Sequence, residues 1–181
     1  GMLRQIESTD PVAEIAVHSG PPSLFTAYFR EPLRTQSCFV DGWYLTGDLA
    51  RRDADGYYWF VGRKDDVIKS AGHLIGPFEV ESTLMDHPAV AEAGVIGRPD
   101  PLVHEVVTAF VTLNPGFVAG TTLRQELLAF ARTQLGPALA PRELEFVPDL
   151  PKTNSGKIMR RALRQRDQGI VEADMAEPVR G

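Results

Sequence analysis

Gly62-Arg63-Lys64-Asp65-Asp66-Val67-Ile68-Lys69-Ser70-Ala71-Gly72-His73-Leu74-Ile75-Gly76 separates two kinds of sequence pattern. Ahead of it the chain reads as short strands joined by turns. Behind it, strands and helices alternate. Such a change of period marks a domain boundary near Gly62-Arg63. It predicts an α+β protein, a small β-subdomain followed by an α+β domain in which helices pack on a short sheet.

Toward the N-terminus, Glu14 to His18 is an apolar run that stops at Gly20-Pro21-Pro22. Phe39-Val40, Asp41-Gly42 and Trp43-Tyr44-Leu45 read as strand, turn and strand. Asp53-Ala54-Asp55-Gly56 joins Leu49–Arg52 to Tyr57-Tyr58-Trp59-Phe60, its glycine supplying the positive φ that a tight hairpin needs. The plain expectation for those aromatics is packing in a β core. The boundaries expected are an N-terminal extension over 1–13, the β-subdomain over 14–62, a joint at 63–66, the α+β domain over 67–168 and a loose tail over 169–181.

Toward the C-terminus, Pro77 suits a first helical turn, with Glu79 and Glu81 at the favourable end of the dipole. Val80, Leu84 and Met85 form its apolar stripe. Val106 to Leu113 is nearly unbroken in apolar residues and predicts a central strand. Thr122 and Gln125 have capping-box spacing ahead of a helix that stops at Gly136-Pro137. Leu144 and Phe146 alternate with Glu143 and Glu145, a strand with one buried face. A proline-bounded loop follows, then a helix starting near Lys157, with Arg160, Arg161, Arg164 and Arg166 on its wet face and Ile158, Met159, Ala162 and Leu163 inward.

Composition excludes several classes. The 181 residues are 43% apolar and 24% charged, with a net charge of −5, which suits a soluble globular protein and argues against nucleic-acid binding. No stretch approaches the roughly 20 apolar residues of a membrane span, and no basic-then-apolar leader is visible. Cys38 is the single cysteine, so no internal disulfide can form and a reducing, cytoplasmic setting is expected. The four histidines lack the spacing of a zinc site, and no metal site is expected. Gly1 ahead of Met2 reads as a protease-cleavage scar, which would make Met2 the natural start.

Three segments could carry chemistry. In Tyr44-Leu45-Thr46-Gly47-Asp48-Leu49, Asp48 could cap a turn, or accept both hydrogen bonds of a ribose diol. Arg63 to Gly76 could be a solvated linker, or a hinge whose arginine holds a nucleotide. In Pro151-Lys152-Thr153-Asn154-Ser155-Gly156-Lys157, a lysine after Ser-Gly could place its ammonium on a phosphate or carboxylate. It is not a P-loop, because the first glycine is missing.

Taken in order, these segments resemble the adenylate-forming superfamily, above all the AMP-forming medium-chain acyl-CoA synthetases and then the acetyl-CoA synthetases. Ile75-Gly76-Pro77-Phe78-Glu79-Val80-Glu81-Ser82 and His87-Pro88-Ala89-Val90 extend the likeness, which covers about residues 14–166. The resemblance implies ATP and CoA as substrates, with Mg²⁺ accompanying ATP and no cofactor tightly bound. It implies that Asp48 and Arg63 bind the nucleotide, that Asp65 is the hinge of a rotating C-terminal lid, and that Lys157 is catalytic in adenylation. The Gly72 loop would line the pantetheine tunnel, and Arg132 would meet the CoA nucleotide phosphate. Leu74 stands where the family usually has arginine. Most of the family's large N-terminal domain has no counterpart here, so the chain alone is expected to be catalytically incomplete. Its expected partner is a second copy or a separate adenylation-domain chain, met through residues 14–62; a regulatory or partner-binding module is the alternative. Nucleic-acid binding by the 152–166 basic stretch ranks below both.

Overall fold

The computed structural model describes residues 12–20 and 24–169, and the chain divides between Val67 and Ile68 into two compact units. Apart from Val12 and Ala13, the expected N-terminal extension lies outside the described residues, as does the expected tail after Gly169. Among the described residues no helix is long and apolar enough to cross a membrane.

The first unit is built on one long strand. β1 (Ala13–His18) runs antiparallel along one edge of β3 (Trp43–Arg52). The other edge of β3 is shared by β2 (Phe39–Val40) at one end and β4 (Tyr58–Arg63) at the other. Asp41 and Gly42 take φ of 50° and 81°, the paired positive values of a two-residue hairpin turn. Asp53 organises the second turn: its carboxylate accepts hydrogen bonds from the Tyr57 N–H at 2.9 Å and the Trp59 indole N–H at 2.7 Å.

Two expectations for this unit are corrected. A helix, α1 (Pro32–Cys38), interrupts what reads as strands and turns throughout. It starts on Pro32, whose φ is pre-set for a first turn, and it buries none of its residues, so no apolar stripe announces it. The aromatics of β4 are also not core. Tyr57, Tyr58, Trp59 and Phe60 are 58–69% exposed, because no layer among the described residues covers either face of that stretch. Phe25, Tyr28, Phe39 and Tyr44 do pack together, with centroids 4.9–5.7 Å apart, and His18 meets Trp43 edge to face at 5.2 Å.

The second unit holds a five-stranded sheet. A short hairpin, β5 (Ile68–Ser70) and β6 (His73–Ile75), leads into α2 (Pro77–Met85). β7 (Val90–Asp100) and β8 (His104–Leu113) form a long antiparallel pair. After α3 (Thr121–Leu135), β9 (Glu143–Phe146) adds parallel to β8, and β5 meets β8 at Ser70 and His104. α4 (Arg160–Asp167) ends the described chain. The apolar run in β8 is thus central, as its composition requires.

Period-2 alternation sorts the core into two layers. Val107, Ala109 and Val111 of β8 and Ala93 and Val95 of β7 pack with Val80, Leu84, Leu127 and Ala131 of α2 and α3. Ile96 and Phe110 pack with Leu150 and Leu163, and Ile158 closes against them. Gly94 belongs to this second layer. A Cβ there would meet Leu163 at 3.1 Å, Leu150 at 3.3 Å and Ile158 at 3.4 Å.

Two local expectations also change. α3 begins at Thr121 with Gly120 as its N-cap, and no side chain caps it, so Thr122 and Gln125 form no capping box. The last helix begins at Arg160, leaving Lys157 ahead of it.

Candidate functional site

In the first unit, Thr46-Gly47-Asp48 is held from both sides. The Thr46 hydroxyl donates to the Ile15 carbonyl at 2.8 Å, and the Gly47 N–H donates to Glu14 Oε1 at 2.9 Å. The other Glu14 oxygen pairs with Lys64 Nζ at 2.9 Å, and the Lys64 N–H donates to the Gly47 carbonyl at 2.8 Å. Arg63 Nη1 donates to Asp48 Oδ1 and to the Thr46 carbonyl, both at 2.8 Å. Asp48 and Arg63 are therefore brought together, and both stay open to solvent, at 36% and 50% exposed. The Asp48 bond holds the Arg63 guanidinium above its usual pKa, so the cation is permanent. The pair offers a carboxylate and a planar donor side by side, on the facing strands β3 and β4.

Asp65 lies in the turn after β4, where the N–H groups of Asp66 and Val67 both donate to the Arg63 carbonyl at 2.9 Å. That turn ends at the boundary between the two units.

In the second unit the remaining candidates sit on three different elements. Gly72 is at the tip of the β5–β6 hairpin with φ +83°, beside Ala71 at φ +47°. A Cβ on Gly72 would meet nothing within 4 Å, so the backbone alone demands glycine. The non-glycine Ala71 in that region stores strain on the order of 1–2 kcal/mol. Leu74, on β6, is 44% exposed. Arg132 is exposed in the last turn of α3, where its carbonyl accepts the Gly136 N–H at 3.0 Å.

Lys157 closes a tight hairpin. Lys152 and Ile158 bridge as paired strands, the Thr153 N–H donates to the Lys157 carbonyl at 2.8 Å, and the Lys157 N–H donates to Thr153 Oγ1 at 3.1 Å. Gly156 turns the chain at φ +82°. The exposed lysine is thus carried on a loop closed by its own backbone, not on a helix end.

Two clusters were not foreseen. Glu81, expected to face the helix dipole, is buried. It accepts the Val95 N–H at 2.9 Å and binds Arg160 through Nε at 3.1 Å and Nη2 at 2.5 Å. Arg160, expected on a wet face, is 18% exposed. The signal was present: Pro77, Val80, Glu81 and Leu84 share the buried side of α2, so Glu81 occupies a core position of the helical period. Arg98 likewise gathers Glu143, Glu145 and Asp167, and Asp167 above all raises its pKa. Among the described residues no three His, Cys, Asp or Glu side chains gather as a metal-binding group.

Lys157 and the strands β7, β8 and β9 fall inside a recognised domain. Residues 79–157 match the AMP-binding enzyme C-terminal domain family. That segment, under half of the chain, belongs to the domain family. This AMP-binding C-terminal domain and its neighbouring residues are 45% identical over 166 residues to acetyl-coenzyme A synthetase of Bacillus subtilis, covering 91% of this chain and 29% of that one. They are 45% identical over 149 residues to a mitochondrial acyl-coenzyme A synthetase of Mus musculus, covering 81% and 26%. The fold is similar to o-succinylbenzoate CoA synthetase from Bacillus subtilis in complex with its acyl-adenylate intermediate, at TM-score 0.77 and 33% identity over 88% of this chain and 32% of that one. The chain thus spans under a third of the length of these relatives.

Proposed function

We propose that this chain is the C-terminal portion of an acid–thiol ligase. In the reaction a carboxylate oxygen attacks the α-phosphorus of ATP, forming acyl-adenylate and expelling pyrophosphate. The CoA thiol, losing its proton, then attacks the acyl carbonyl and expels AMP. Lys157 is the cation for the first step. Two anions approach each other there, and an ammonium between them stabilises the transition state more than the separated reactants. The observation that carries this reading is the closed 153–157 hairpin, which holds an exposed lysine at the last matched residue of a family domain.

In the same reading Asp48 accepts the ribose hydroxyls and Arg63 contacts the nucleotide. Residues 63–66 form the joint at Asp65. The Gly72 tip and Arg132 serve the CoA step, and Leu74 stands where the family usually has an arginine. Mg²⁺ enters with ATP, and ATP and CoA are substrates, not resident cofactors. The setting is cytoplasmic fatty acid metabolism, with no role for nucleic acid or membrane. Catalysis needs the groups that the rest of such an enzyme supplies, since half a site neither excludes water nor aligns ATP.

The test has two arms. The chain alone, mixed with ATP and C2 to C12 fatty acids, should release no more pyrophosphate than its Lys157→Ala variant. Fused in place of the matching segment of Bacillus subtilis acetyl-coenzyme A synthetase, it should support acyl-adenylate formation that Lys157→Ala removes. A fusion indifferent to Lys157 would sink the reading.

The exposed aromatics of β4 favour a second reading, in which residues 14–62 dock on a separate adenylation-domain chain, on a second copy, or on an intact synthetase that the chain regulates.

A further inference from the structure

Two acidic residues hold the arms of the hairpin that carries Lys157. On the first arm, Lys152 Nζ reaches Glu92 Oε1 of β7 at 2.5 Å, with both side chains 36–41% exposed. On the second, the Met159 N–H donates to the Pro151 carbonyl at 2.8 Å, and Arg160 follows as the first residue of α4. Arg160 binds Glu81 in a two-pronged contact, Nε to Oε1 at 3.1 Å and Nη2 to Oε2 at 2.5 Å. The Glu81 side chain is only 4% exposed.

β7 pairs with β8 on one side only, so the N–H groups along its other edge need partners from elsewhere. Glu81 Oε1 supplies one, accepting the Val95 N–H at 2.9 Å. One buried carboxylate therefore ties three things: the helix α2 on which it sits, the open edge of β7, and the residue three positions after Lys157. A buried carboxylate needs a matched cation to offset desolvation, and a bidentate arginine fixes direction as well as charge. Arg160 is also the first residue of α4, joined to the hairpin through Met159 and Ile158.

We propose that Glu81 and Arg160 are positioning residues for Lys157: the Glu81–Arg160 contact orders the 152–158 hairpin so that the ammonium is held where adenylation needs it. This rests on the reading of Lys157 as the adenylating cation. It assigns these two residues no contact with substrate.

The experiment compares wild type, Glu81→Gln, Arg160→Lys and Lys157→Ala in two measurements. Amide hydrogen exchange on the full chain follows Thr153, Gly156 and Met159 in the hairpin against Val107 and Val111 in the core. Glu81→Gln keeps an acceptor for the Val95 N–H but loses the charge, so hairpin exchange should quicken at least about tenfold while core exchange stays within about twofold. Arg160→Lys should fall between it and wild type. In the synthetase fusion, Glu81→Gln should lower kcat for adenylation about tenfold with KM for ATP within about twofold.

Hairpin exchange unchanged in Glu81→Gln overturns the proposal. So does equal acceleration of hairpin and core, which would make the pair a general stabiliser. A loosened hairpin with unchanged kcat overturns the catalytic clause. If Lys157→Ala itself keeps full adenylation, the reading of Lys157 fails and the positioning role falls with it, while the exchange data still decide whether the pair orders the hairpin.

Discussion

The guanidinium of Arg63 lies against the Cα of Gly47, so close that a Cβ at 47 would meet Nη2 at 2.7 Å and Cζ at 3.1 Å. Gly47 also has φ +77°. The residue therefore serves two ends: it allows the left-handed backbone, and it leaves room for the cation that pairs with Asp48.

Gly47→Ala should accordingly cost stability and ligand contact together. The backbone term alone is about 1–2 kcal/mol, and the displaced Arg63 loses its bonds to Asp48 and Thr46. Chemical denaturation of the chain should show the first effect. In the synthetase fusion, a raised KM for ATP should show the second. A variant with wild-type stability would contradict the geometry.

Lys157→Ala should leave folding intact, because the side chain is exposed and its backbone closes the hairpin. In the fusion it should lower the adenylation rate by about 100- to 1,000-fold, the usual effect of removing one preorganised charge-stabilising group. Thioester formation from supplied acyl-adenylate should fall far less. Rapid quench of the two half-reactions separates these outcomes.

Much of the second unit was legible because its pattern follows from burial. β8 announces itself by an unbroken apolar run, and β9 by strict alternation at Glu143–Phe146. Pro77 and Gly136 mark helix ends for reasons of backbone chemistry alone. Candidate residues on turns, such as Gly72 and Lys157, could be named from motifs, yet the hairpin around Lys157 could not, since it is closed by a backbone pair and one Thr153 hydroxyl that carry no periodic signal. The first unit was less legible. α1 buries nothing, so its period carries no signal, and the aromatics of β4 look like core because composition cannot say what covers them. Glu81 and Arg160 were misplaced for a third reason. Each is charged, and charge is ordinarily a mark of surface; only the partner turns them inward.

Asp53 should report acid conditions through Trp59. Its carboxylate is held below its usual 3.8 by the Trp59 indole hydrogen bond first, with help from backbone N–H groups that include that of Tyr57. A lowered folded-state pKa means that the contribution is fully present above the unfolded value and is lost as pH falls through the folded one. The Trp59 indole N–H resonance should therefore shift as pH falls into the acid range, with a midpoint below 3.8. Asp53→Asn should abolish the transition. A midpoint above 3.8 would count against the bond.

The exposed strand β4 should drive self-association in the isolated chain. Apolar surface left in water costs about 25 cal/mol per Å², and Tyr57 to Gly62 contains no charged residue to discourage pairing along the edge. Sedimentation at micromolar concentration should show a species larger than the 19.9 kDa monomer. Tyr58→Ser with Phe60→Ser should shift it toward monomer. A wild-type chain that sediments as a clean monomer would refute this.

Gly94 leaves the second unit with a very uneven tolerance of change. At Gly72 the surroundings are open and only backbone handedness objects to a larger residue. At Gly94 the three crowded neighbours are side chains of Leu150, Ile158 and Leu163, one ahead of the Lys157 hairpin, one on its closing arm and one on α4. A single methyl group there would press on all three at 3.1–3.4 Å. An enzyme lineage that altered its acid or thiol partner could redraw the outward loops freely, while this position on β7 would record almost no history at all.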